Sequence, residues 1–77
     1  MKYNRISELR TDNDKKQREL AKYLNVGRMT YCHYELGDRD VPTDILCKLA
    51  DYYNVSTDYL LGRTDVPKPY PKSKRNI

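Results

Sequence analysis

The stretch QRELAKYLNVGRMTYCHYELG, residues 17–37, constrains the fold more than any other part of the sequence. In its first half Leu20, Ala21 and Leu24 recur at helical spacing, and in its second half Tyr31 and Tyr34 share one side. Only Asn25, Val26 and Gly27 separate the two patterns. So short a link angles two helices against each other, with both apolar faces turned to one core. The outer face of the second helix, with Arg28, Met29, Cys32 and His33, is then left open.

The rest of the chain supplies further short helices. Ile6 and Leu9 predict an amphipathic helix over 4–12, followed by a polar turn at TDND. Helices are expected over 17–24 and 28–36, the second with Gly27 as its N-cap and Gly37 as its left-handed stop. Pro42 suits a first helical turn and Asp44 complements its dipole, opening a helix over 43–53 with Ile45, Leu46, Leu49, Ala50 and Tyr53 at a period near 3.6. Ser56 is a good N-cap and Asp58 a good first-turn residue for a last short helix through Leu61, closed by Gly62. No alternating strand pattern appears. The expected class is all-α, a compact five-helix body.

None of these helices is long enough to be stable alone, so tertiary packing must hold them. There is no Trp and no Phe, so aliphatic residues and eight Tyr must build the core. The expected core is Ile6, Leu9, Leu20, Ala21, Leu24, Val26, Tyr31, Tyr34, Ile45, Leu46, Leu49, Ala50, Val55 and Leu60. With 77 residues that core is small, and a net stability of roughly 3–5 kcal/mol is expected.

Charge is segregated along the chain. The formal net charge is +4, and residues 1–62 contribute none of it, with ten Lys/Arg against ten Asp/Glu. Residues 15–39 carry +3, residues 40–62 carry −3, and the Pro-rich tail 63–77 carries the whole excess. The tail is expected to be extended and flexible, either a basic arm on a polyanion or a linker. One positive face suits a polyanion such as DNA; the plainer reading is a solubilising mixture. Cys32 and Cys47 fit no disulfide framework or metal-binding spacing, and a single His with two Cys falls short of a structural zinc site. No apolar run approaches the roughly 18 residues that span a bilayer, and MKYNRISELR has no signal-peptide core. A cytoplasmic, non-enzymatic protein with no cofactor is expected.

The chemistry of the two central helices matches DNA recognition. In such an arrangement the second helix enters the major groove and the first crosses the backbone. Lys15, Lys16 and Gln17, at the start of the first, combine unpaired backbone N–H groups with positive charge, which makes a phosphate site. Arg18, Thr30 and Arg39 are further candidates for backbone contacts, and Thr30 has a backbone carbonyl as its alternative partner. Arg28 can bond guanine O6 and N7 together, Met29 can meet a thymine methyl, and His33 can donate to a base acceptor. Cys32 lies beside them.

The residues Gln17-x-Glu19-Leu20-Ala21, Leu24-x-Val26, Tyr34-Glu35-x-Gly37, Pro42, Leu46-x-x-Leu49-Ala50 and Val55-Ser56-x-Asp58-Tyr59-Leu60-Leu61-Gly62 together resemble the phage-repressor class of helix-turn-helix domains, the lambda repressor/Cro-like or XRE family. The resemblance covers about residues 4–62. It implies a five-helix lambda-repressor-like domain, sequence-specific double-stranded DNA binding as a transcriptional regulator, most often a repressor, and a homodimer on a palindromic operator. It further implies that Gln17 contacts the phosphate backbone, that positions 28, 29, 32 and 33 face bases, and that Arg10 pairs with Glu35. The dimer contact is assigned to the last helix, with Tyr59 and Leu61. Lys16 stands where the family often has a capping Thr or Ser, and Gly27 where it often has a hydroxyl. The alternative function is a protein-interaction or antitoxin-type regulatory module working through the acidic 40–62 region and the tail.

Overall fold

The computed structural model describes residues 2–73; Lys74 and Arg75 of the basic tail lie outside them. Five helices follow in order: α1 Asn4–Asp12, α2 Gln17–Leu24, α3 Arg28–Leu36, α4 Thr43–Tyr53 and α5 Thr57–Leu61. No strand occurs among the described residues, and none of the helices is long and apolar enough to cross a membrane.

Four of the helices stop for a common reason: the residue that follows each of α2, α3, α4 and α5 has positive φ, at Asn25, Gly37, Asn54 and Gly62. After α1, Asn13 keeps φ −98° and the positive φ comes one residue later, at Asp14. After α2, Asn25 at φ 58° lets its own N–H reach the Lys22 carbonyl at 3.1 Å while the Val26 N–H reaches the Ala21 carbonyl at 3.0 Å. These two bonds satisfy carbonyls that a helix end otherwise leaves open, and they bring Val26 back over Ala21. The same pair of bonds recurs after α4, at Asn54 and Val55. At Gly37, φ is 83° and an added Cβ would stand 2.7 Å from the Lys2 Cβ, so both conformation and space call for glycine. At the start of α5 the Ser56 hydroxyl accepts from the Tyr59 N–H at 3.0 Å. Pro42 sits one residue outside α4, at its N-cap, rather than inside the first turn.

α2 packs on α3 and α4, α1 on α3 and α5, and α4 on α5. The core between them holds Ile6, Leu20, Ala21, Leu24, Tyr31, Tyr34, Ile45, Leu49, Ala50, Val55 and Leu60. Leu9, Val26 and Leu46, expected inside, are half-buried at its rim. Val41 is buried though no periodic pattern marked it, because the polar loop after α3 folds that one side chain onto the core before α4 begins. With no Phe or Trp in the sequence, tyrosines supply the aromatic packing: Tyr52 packs on Tyr23 and Tyr53 with ring centroids 4.6 and 5.0 Å apart.

Residues 63–73 form no helix and run along the acidic part of the body. The Pro67 carbonyl accepts from the Ser56 N–H at 3.0 Å, Tyr70 donates to Asp58 at 3.0 Å, and the Lys72 ammonium meets Asp51 at 2.6 Å. From α1, Arg5 donates to the Thr64 and Tyr59 carbonyls and pairs with Asp65 at 2.6 Å. The same guanidinium lies 4.0 Å above the centre of the Tyr59 ring.

Candidate nucleic-acid interface

The α2–α3 pair is locked to α1 through one buried carboxylate. Glu35, on the last turn of α3, is 6% exposed. It accepts from Arg10 Nε at 2.6 Å and from a second Arg10 nitrogen at 3.1 Å, from Gln17 Nε2 at 3.0 Å and from the Tyr31 hydroxyl at 2.5 Å. Arg10 also donates to the Lys15 carbonyl at 3.0 Å, which fixes the turn before α2. Burial alone would raise the Glu35 pKa, but the hydrogen bonds from Arg10, Tyr31 and Gln17 outweigh it and hold the carboxyl below its ordinary value. The Glu35 hydrogen bond raises Arg10 in turn, against burial. Burial, with the bond to Glu35, pushes the Tyr31 phenol well above its ordinary range. Nearby, the buried Tyr53 hydroxyl has no hydrogen-bond partner among the described residues, and burial raises its pKa too.

This lock places a cationic concavity at the start of α2. Arg10, Lys15, Lys16, Gln17, Arg18 and Arg28 line an open hollow of about 390 Å³, with no acidic residue in its wall. Lys16 precedes the helix, and its ammonium has no lone pair with which to cap it. Only the reverse bond forms, from the Lys16 N–H to the Glu19 carboxylate at 3.3 Å. The backbone N–H groups of Gln17 and Arg18 open toward the helix start without intrahelical acceptors. One hydrogen of the Gln17 amide is engaged by Glu35, so Gln17 brings to the hollow its backbone N–H and what remains of its amide. Arg28, the first residue of α3, joins the two helices in one wall. Its charge, helix dipole and oriented N–H donors are the features that suit a hollow to an anion.

Along α3, Arg28 and Met29 are exposed, Met29 at 67%, and Thr30 and Cys32 are half-buried. The His33 ring keeps 42% of its side-chain surface and bonds through Nδ1 to Asp38 at 3.3 Å. Arg39 is exposed in the loop beyond, and neither it nor Thr30 joins the wall of the hollow. Two participants carried no sequence signal: Asp38 as the partner of His33, and Gln17 as a donor to Glu35. Tyr31 was legible in part, since its spacing of four from Glu35 sets both on one helix face. On α5, Leu61 and Tyr59 are half-buried, Tyr59 beneath Arg5.

Two short helices joined at a left-handed asparagine, the first opening on a cationic hollow and the second showing an uncovered outer face, define a helix-turn-helix module. The chain belongs to the helix-turn-helix family, of the XRE or phage-repressor type: the family model matches residues 6–60. It is 47% identical over 64 residues to the HTH-type transcriptional regulator ImmR of Bacillus subtilis (strain 168), an alignment covering 83% of this chain and 50% of ImmR. Its identity to the cryptic phage CTXphi transcriptional repressor RstR of Vibrio cholerae is 36% over 62 residues, covering 80% of this chain and 56% of RstR. The crystal structure of a transcriptional regulator from Listeria innocua superposes with a TM-score of 0.70 at 28% identity, over 92% of this chain and 60% of that one. The chain thus spans little more than half the length of these relatives.

Proposed function

We propose that this chain is a sequence-specific binder of double-stranded DNA that regulates transcription as a repressor in the cytoplasm. The observation that carries the reading is the continuity of the acid-free hollow at the start of α2 with Arg28 at the start of α3. A phosphate seated there leaves α3 along the major groove, with Arg28, Met29, Cys32 and His33 toward base edges. Lys15, Lys16, Gln17 and Arg18 hold the backbone from the hollow, and Thr30 and Arg39 extend that contact along the strand. The names of the relatives, regulators and a phage repressor, support the same reading. A single module this small reads few base pairs, so the functional unit is a homodimer on a palindromic operator, with half-sites roughly 34–36 Å apart. Leu61 and Tyr59 on α5 are the proposed contact.

Titration of a labelled duplex with the full chain at stepped salt concentrations tests the reading. Log affinity should fall linearly with log salt, and replacing Lys15 or Lys16 by Ala should make the slope shallower by about 0.9 for each phosphate that is no longer neutralised. An affinity indifferent to salt, or a slope untouched by both substitutions, contradicts the placement of the phosphate.

A further inference from the structure

His33 stands on the outer side of α3, one turn beyond Met29, and one of its two ring nitrogens has a partner. Nδ1 lies 3.3 Å from the Asp38 carboxylate. Asp38 is itself tethered to the same residue: Gly37 turns the chain at φ 83°, and the Asp38 N–H returns to the His33 carbonyl at 3.2 Å. Carboxylate and imidazole are therefore held together by backbone as well as side chain. An ionised carboxylate only accepts hydrogen bonds, so the proton between the two groups belongs to Nδ1. In a neutral imidazole the other nitrogen, Nε2, is then a lone-pair acceptor. Nε2 has no hydrogen bond within the described residues.

We infer that Asp38 is a specificity-determining positioning residue: by fixing His33 as the Nδ1–H tautomer it makes Nε2 an acceptor that selects an amino-bearing base edge in the major groove. The edges that fit are cytosine N4 and adenine N6; guanine O6 and N7 and thymine O4 meet Nε2 lone pair to lone pair. This reverses the donor role that residue type alone assigns to His33. The inference rests on the DNA-binding reading, and it extends the base-reading set to a residue beyond α3.

The chain holds a single histidine, so a long-range proton–nitrogen correlation spectrum of the 15N-labelled protein reports this ring alone. The spectrum is taken in mildly alkaline buffer. The expected result is a proton on Nδ1 in the parent chain and in Asp38→Asn, whose amide oxygen still accepts, and loss of that preference in Asp38→Ala. The second arm uses duplexes selected from a random pool. The position whose preference disappears in His33→Ala should favour C or A by about fivefold to tenfold in the parent chain. Asp38→Ala should erase that preference there and change no other position, and Asp38→Asn should restore it. A proton on Nε2 in the parent chain, a preference for G at that position, or a preference unchanged in Asp38→Ala overturns the inference while leaving DNA binding intact. Failure of the chain to retain any duplex overturns the DNA-binding reading, and the inference with it.

Discussion

Glu35 carries more of the architecture than any other polar residue, because one buried carboxylate accepts from α1, α2 and its own helix. Replacing it by Ala removes the acceptor of Arg10, Gln17 and Tyr31 at once and should cost roughly 3–5 kcal/mol, read as a lower urea midpoint. Were the loss below about 1 kcal/mol, the cluster would be an exposed pair in effect. Arg28 is exposed at the start of α3, and Arg28→Ala should leave stability nearly unchanged. It should weaken binding by about 1–3 kcal/mol and relax preference at one operator position; uniform weakening across all sequences would make Arg28 a phosphate contact instead. Among single residues the sequence was half legible. The exposure of Arg28 and Met29 on α3 follows from helix register, and the Arg10–Glu35 pair was implied by the family resemblance. The Gln17–Glu35 and His33–Asp38 bonds depend on how helices and a loop approach in three dimensions, which neither spacing nor composition encodes.

The helices were almost wholly legible, since each is bounded by residues with a local physical reason. All five observed spans agree with the expected ones, with Pro42 displaced by one position. Ser56→Ala should cost about 1 kcal/mol by leaving the Tyr59 N–H uncapped. Gly37→Ala should cost more, since a left-handed alanine is strained by about 1–2 kcal/mol and its Cβ would also meet Lys2. Equal midpoints for Gly37→Ala and the parent chain would show that the turn after α3 can relax. Val41 marks the limit of this reading: an apolar residue in a polar loop belongs to no period, and only the path of the loop brings it inside.

For the whole molecule, the buried ionisable groups set a window of pH. Glu35 is held below its ordinary 4.5 in the folded chain. The unfolded chain therefore takes up a proton that the folded one refuses, so this contribution is complete above about pH 4.5 and is lost as pH falls below it. Tyr31 and Tyr53 are raised above their ordinary 10.0, so their contribution is complete below that value and is lost as pH rises past it. Thermal melts across pH should show a plateau that falls at both ends, and Glu35→Gln should flatten the acid limb. The tail adds a second global effect. Removing residues 63–77 takes the Pro67 carbonyl from the Ser56 N–H and should lower stability by about 1 kcal/mol. Whether the start of α2 and the face of α3 together read a duplex is decided by selecting bound sequences from a random double-stranded pool with the full chain. An inverted repeat should be enriched, and Arg28→Ala should degrade one matched position in each of its half-sites. Recovery of unenriched sequence, or enrichment indifferent to both Arg28→Ala and His33→Ala, would refute that pairing of the two helices on DNA.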